Sequence, residues 1–326
     1  MTFAPSRTID NYELLGISDK PKAGITYKVR NLDTGEMETL RALPGAASAD
    51  PESRSRFLRE IRIHTRLSHP NVVAFHDAFE FDDQLVMTSE YFEGDTVAEL
   101  CRGGPLPSSE AARIVCDVLA GLEEAHALGI VHRGITAEHV IVTPRGDVKL
   151  GGFGLAKPAS DMDLTQSGVV LGDPRYISPE QVMGAALDAR SDLYSVGVLL
   201  YQALAGRVPF DNPNEFDVMV AQVGSSPRPP SLLNPGISPA LDRVTLTALA
   251  KRREDRFASA REFRLALAQA TATTTEEELE PATAPAAPFA PPQFLAQSQS
   301  ALRAMPLVMG LAAGTALLAA VYLAMH

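Results

Sequence analysis

Val131-His132-Arg133-Gly134-Ile135-Thr136-Ala137-Glu138-His139-Val140-Ile141-Val142 is the stretch on which the reading of this chain turns. It lies just after one kind of sequence has given way to another. Upstream, the first 90 residues read as strand-rich. Ile25, Tyr27 and Val29 alternate with polar or basic neighbours, and Asp33-Thr34-Gly35 supplies a turn before a second run at 37–43. Runs at 72–81 and 84–90 flank Asp82-Asp83 and predict a further hairpin. Between them Asp50-Pro51 opens a helix, with Phe57, Glu60, Ile61 and His64 on one face. From residue 105 the period becomes helical, and Ile114, Val115, Val118, Leu119 and Leu122 form a stripe that starts near Ser108 or Ser109. Beyond the quoted stretch, 196–205 is apolar all round, as in a helix at the centre of a large helical lobe. At about ten residues it is too short to span a membrane. The pattern predicts a small β-rich lobe followed by a larger α-rich one, without internal repeats.

The chain has 326 residues and a net charge of −11. Its first 270 or so residues can bury a substantial core, as one large domain or two lobes. An acidic chain with no basic block lacks the phosphate-neutralising Lys and Arg that nucleic-acid binding requires. Two cysteines, Cys101 and Cys116, make no disulfide scaffold and have no metal-ligand spacing. They read as small buried residues of a reducing compartment. Residues 1–10 contain no apolar run and do not read as a signal peptide.

The C-terminal part reads differently. Residues 305–325 carry no charge and consist largely of Leu, Val, Ala, Gly and Met, enough to cross a hydrocarbon core of about 30 Å as one helix. Only His326 follows, which predicts a tail anchor. Arg303 before it, with nothing basic after it, favours the cytoplasmic side for the large N-terminal part, at the cytoplasmic membrane. Residues 271–304 are rich in Thr, Ala, Pro, Glu and Gln and predict a disordered linker with a reach of about 30 Å. Glu276, Glu277, Glu278 and Glu280 repel anionic headgroups, so the folded part is expected to be tethered and not pressed onto the bilayer. Gly310 and Gly314 stand four apart on one helical face, a spacing that allows close approach of two membrane helices and hence a homodimer.

The quoted stretch resembles the catalytic loop of eukaryotic-like serine/threonine protein kinases of the bacterial transmembrane type. Other motifs follow in the family's order. Val148-Lys149-Leu150-Gly151-Gly152-Phe153-Gly154 is similar to the magnesium loop, and Gly172-Asp173-Pro174-Arg175-Tyr176-Ile177-Ser178-Pro179-Glu180-Gln181 to the end of the activation segment. Ser191-Asp192-Leu193-Tyr194-Ser195-Val196-Gly197 is similar to the start of the central helix. His69-Pro70-Asn71-Val72-Val73 and Asp255-Arg256-Phe257 also fit. The resemblance covers about 10–268 and implies an α+β, two-lobed kinase-like domain, with the small lobe at about 10–92 and the large one at about 93–268.

That family holds ATP and magnesium with a third-strand Lys, a proton-accepting Asp, a metal-binding Asn and Asp, and a Gly-rich lid. Matched position by position, this chain has Arg41 for the Lys, Gly134 for the proton-accepting Asp, and Thr136 for the Lys two residues on. His139 stands for the Asn, Gly152 for the metal-binding Asp, and Asp173 for the activation-segment Thr. Of the lid glycines Gly24 remains, with Asp19 and Pro21 at the other two positions. Thr26 and Thr39 replace apolar residues of the adenine slot. Losing the base alone costs about 10²- to 10⁴-fold. Losing both metal ligands is worse, because an imidazole at His139 is a poor ligand for a hard cation that prefers oxygen. Gly24, Arg41 and Glu60 are left as residual nucleotide contacts, and Arg41 can still pair with Glu60.

Arg133, Glu180, Asp192 and Arg256 match positions that hold the large lobe together, with Glu180 and Arg256 expected as a buried ion pair. The losses thus fall on groups that would touch ATP, metal or hydroxyl. The pattern predicts a membrane-tethered pseudokinase without an intact catalytic set, metal site or assured cofactor. Its expected role is a signalling scaffold or allosteric partner for other proteins, an active kinase among them. The alternative is a serine/threonine kinase with weak or atypical ATP-dependent transfer, for which Asp173 is the best stand-in base. Nucleotide binding without transfer is a third reading. His132 and His126 read as core histidines, and Lys20 and Lys22 as solvated loop residues. Thr165 and Ser167 could serve as phosphoacceptors only for another kinase.

Overall fold

The structure is a computed structural model that describes residues 8–19, 25–158 and 172–279. These lie in one compact unit, Met1–Pro281. The small lobe is an antiparallel sheet of β1 (Thr8–Ile9), β2 (Tyr12–Asp19), β3 (Ile25–Asn31), β4 (Met37–Ala42), β5 (Phe75–Phe81) and β6 (Gln84–Glu90), in the order β1-β2-β3-β4-β6-β5. The predicted run at 72–81 is shortened to β5, because Val72 leaves the sheet and bridges Leu150 of the large lobe. Asp82 and Asp83 turn the hairpin with positive φ, a conformation Asp tolerates better than most residues.

Between β4 and β5 run a short α1 (Gly45–Ser48) and α2 (Pro51–His64). Asp50 caps α2 by accepting the Ser53 N–H at 2.9 Å, and Pro51 sits at the first helical position, where its missing N–H costs nothing. The buried face of α2 is Phe57, Glu60, Ile63 and His64, with Ile61 only partly buried.

The large lobe begins with β7 (Asp95–Thr96), α3 (Val97–Leu100) and α4 (Ser108–Ala127). The quoted loop then runs between β8 (Ile130–Val131) and β9 (Val140–Val142), followed by β10 (Val148–Leu150) and β11 (Lys157–Pro158). Then come α5 (Pro179–Val182), α6 (Ala189–Ala205), α7 (Glu215–Gly224), α8 (Pro239–Ala248) and α9 (Ala260–Leu279). α6 is central: all but one of its residues from Ser191 to Leu204 are buried. Asp188 caps it, and Gly206 ends it at φ 73°, where a Cβ would meet the Pro105 nitrogen at 3.0 Å.

A run of backbone and side-chain hydrogen bonds stitches the lobes together around Leu150. Val73 N donates to Leu150 O at 3.0 Å, Leu150 N to Asn71 O at 2.8 Å, and Asn71 Nδ2 to Val148 O at 3.0 Å. Lys149 adds an ion pair to Glu90 at 2.7 Å.

Helix α9 corrects the expected linker boundary. It continues past Ala270 to Leu279, into the segment read as disordered from 271. Ala, Glu and Leu are strong helix formers, and the Thr271 hydroxyl donates to Leu267 O at 2.8 Å within the helix. Composition alone therefore ended the folded part too early. Among the described residues no helix is long and apolar enough to cross a membrane. The segment 305–325, with Gly310 and Gly314, lies outside them, as do Gly24, Lys20, Lys22, Thr165 and Ser167.

Candidate functional site

The loop between β8 and β9 is held from below by Asp192, on the first turn of α6. Its Oδ2 accepts the His132 backbone N–H at 2.9 Å, its Oδ1 that of Arg133 at 2.8 Å, and its Oδ2 also contacts His126 Nε2 at 2.8 Å. Burial opposes the charged form of Asp192. The hydrogen bond from His126 and the Arg133 N–H outweigh it and hold the carboxyl below the usual range. This grip maintains Arg133 at φ 66°, a left-handed conformation few side chains adopt unaided.

His132 is fully buried. Its Nε2 donates to Gly151 O at 2.9 Å, and its Nδ1 accepts the Gly134 N–H at 3.2 Å. Burial pushes its pKa down to about 4, so the imidazole is neutral at physiological pH. The ring tilts against Phe153 at 4.3 Å between centroids, and Phe153 meets His64 of α2 edge-on at 5.3 Å. His64 is likewise pushed to about 4 by burial. Three rings thus run as a column from α2 to the loop.

The positions that resemblance assigns to chemistry come together above this base. Gly134 and Gly152 present no side chain. A Cβ at Gly134 would first meet the Leu155 side chain, at 3.3 Å. A Cβ at Gly152 would lie 2.5 Å from Cγ of His139, closer than atoms approach. His139 Nδ1 donates to Gly134 O at 2.6 Å, since a carbonyl can only accept, and lies 3.2 Å from the Thr136 hydroxyl. Thr136 is buried.

Asp173 does not stand free as a base. Arg175 Nε donates to its Oδ1 at 2.9 Å and to its Oδ2 at 3.2 Å, Nη2 also binds Oδ2, and the Arg175 backbone N–H reaches Oδ1 at 2.9 Å. Arg41 pairs with Glu60 at 2.5 Å and lies 4.9 Å over the Phe57 ring.

Under the activation segment, Glu180 and Arg256 form a two-pronged pair at 2.7 and 2.9 Å, both residues buried. The Ser191 hydroxyl donates to Glu180 at 2.7 Å. Arg256 Nε donates to Ala250 O at 2.7 Å, and its Nη groups reach the Arg190 and Lys251 carbonyls, each at 3.0 Å. Burial disfavours the Glu180 anion, but Arg256 and Ser191 outweigh it and lower its pKa.

Magnesium is a hard ion that needs several oxygen ligands. Of the two metal-ligand positions, 152 has no side chain and 139 carries an imidazole, a poor ligand for that ion. The residues at this site do not fit a magnesium nucleotide. Sequence reasoning missed the contact of His139 with Gly152 and the capture of Asp173 by Arg175. The signal for the first was in the pair of substitutions itself: a ring at one ligand position and the smallest residue at the other.

Residues 20–262 match the family model described as protein kinase domain. The chain belongs to the protein kinase family. Among its kinase relatives, the serine/threonine-protein kinase pkn3 of Myxococcus xanthus is 37% identical over 256 residues, 75% of this chain and 47% of that protein. The serine/threonine-protein kinase PknB of Mycobacterium leprae is 34% identical over 266 residues, 80% of this chain and 43% of that protein. The chain thus matches less than half the length of these kinases. The crystal structure of the Mycobacterium tuberculosis PknI kinase domain superposes with a TM-score of 0.66 at 29% identity, covering 83% of this chain and 100% of that one. The kinase fold, a curled-sheet small lobe on a helical large lobe, is therefore shared.

Proposed function

We propose that this kinase-family protein is a pseudokinase: it works as a signalling scaffold or allosteric partner and does not transfer phosphate through a metal nucleotide. One observation carries this reading. The two metal-ligand positions hold Gly152 and His139, and the imidazole occupies the space a side chain at 152 would need. Loss of the base at Gly134 alone would leave a slow enzyme, whereas loss of the metal seat removes what neutralises the phosphates. The reading includes a tether at residues 305–325 in the cytoplasmic membrane, with the kinase-like domain in the cytoplasm, as sequence pattern supports. It includes protein partners, an active kinase among them, and a membrane-helix homodimer through Gly310 and Gly314.

The second reading is a serine/threonine kinase with atypical transfer. The comparisons by themselves favour it, since the relatives above are all named kinases. The closed Arg41–Glu60 pair and the unbroken ring column also suit it. Asp173 suits it poorly, because both of its carboxylate oxygens are already engaged by the Arg175 guanidinium. Labelled γ-phosphate transfer by the full chain, with magnesium or manganese, separates the two. No incorporation above a heat-killed control is expected. Incorporation that disappears in Asp173→Ala would replace the proposal with the second reading.

A further inference from the structure

In the chemistry-bearing positions of this family, side chains usually face a shared ligand. Here the ring at one of them lies against the others. A Cβ on Gly152 would lie 2.5, 2.6 and 2.8 Å from Cγ, Cδ2 and Nδ1 of His139. The ring cannot swing away without loss, because Nδ1 donates to Gly134 O at 2.6 Å and adjoins the Thr136 hydroxyl. The His139 backbone is fixed on both sides: its N–H reaches Thr136 O at 3.1 Å, and its carbonyl accepts the Gly151 N–H at 2.9 Å. One imidazole therefore touches positions 134, 136 and 152 together.

We infer that His139 replaces the divalent cation as the tie between the two loops of the cleft floor, so that the floor keeps its shape with no metal ion. Two features make the replacement specific. The left-handed Gly152, φ 79°, turns the second loop beneath the ring, and only a residue without a Cβ leaves the ring its place. The carbonyl of Gly134 gives the ring a fixed tautomer, with the proton on Nδ1. The inference shares with the proposed function only the premise that the floor holds no metal, and its test is independent of any transfer assay.

The test is a thermal-melting cycle on the full chain: wild type, Gly152→Ala, His139→Ala, and both together. Any strain from alanine at a positive φ is common to both Gly152→Ala steps and cancels. Gly152→Ala is expected to lower the melting temperature by about 5 °C in the wild type, and by less than half of that once the ring is gone. Equal costs in the two backgrounds would overturn the inference. Should Gly152→Ala alone fail to fold, a folded double variant supports the tie and an unfolded one refutes it. A second measurement compares wild-type melting in ATP with EDTA and in ATP with magnesium. The two curves are expected to coincide, and stabilisation by magnesium beyond ATP alone would show that a cation, not the ring, closes the floor.

Discussion

Beneath the activation segment, the Glu180 carboxylate and the Arg256 guanidinium are buried and fully partnered. On the cleft floor, the positions that resemblance assigns to base, phosphate and metal hold two glycines, a threonine and an imidazole. The two regions are joined through α6, whose first turn supplies both Ser191 to Glu180 and Asp192 to the loop. The difference teaches what each charge was for. A buried ion pair cannot lose one member without leaving the other unpaired in a low-dielectric interior. A charge that serves only a ligand can go as soon as the ligand does, and the space closes over.

The comparison breaks most sharply on the foundation. Arg256→Ala or Glu180→Ala is expected to cost about 3–5 kcal/mol, read as a lower denaturation midpoint of the full chain. A loss below about 1 kcal/mol would mean that the pair is ornamental and the contrast with the floor false.

Acid should act on the ring column next. His132 and His64 titrate near 4 in the fold against about 6.5 unfolded, so the unfolded chain binds more protons between those values. Their contribution is complete above about pH 6.5 and is lost as pH falls toward 4, about 3 kcal/mol for each ring. Below that, the lowered carboxyls of Asp192 and Glu180 take over: their stabilisation is lost as pH falls through their folded values. Urea melts from pH 7 to 4 would show the slope, and His64→Leu should remove about half of it. An unchanged slope would place the acid sensitivity elsewhere.

Arg41→Ala comes third, at about 1–2 kcal/mol. Sequence alone leaves Arg41 as a residual nucleotide contact able to pair with Glu60, without saying how buried that pair is. The structure raises the expected cost because Glu60 is only 7% exposed and loses its partner. The smallest effect is reserved for Gly134→Ala, below about 1 kcal/mol by the same melts, since the atoms nearest its Cβ belong to the flexible Leu155 side chain. A larger cost there would mean that the loop's path, and not the loss of a ligand, selects glycine at 134.

Much of the fold is legible in the sequence because its signals are local or ordered along the chain. Strand alternation around Tyr27 and Val29, the Asp50-Pro51 helix start and the apolar run of α6 all belong to single elements. The order of the kinase motifs supplies the rest. What is not legible joins residues without a shared period. His139 and Gly152 lie on different loops, and only the tertiary path sets the ring over the glycine. Asp173 and Arg175 are two apart, but nothing in their spacing says that the turn folds one onto the other. The end of α9 is missed for another reason: Thr and Glu suit both a linker and the last turns of a helix.

Asp192 has a consequence for how such a chain changes over generations. It grips the backbone N–H groups of His132 and Arg133, and a backbone N–H is present whatever side chain an adjoining codon specifies. The loop's course is thereby insulated from the identity of residues 134 and 136. Substitutions there leave this grip in place and act on the fold only through the contacts of their own side chains. A lineage released from those demands can drift at the reactive positions while inheriting the loop's shape intact.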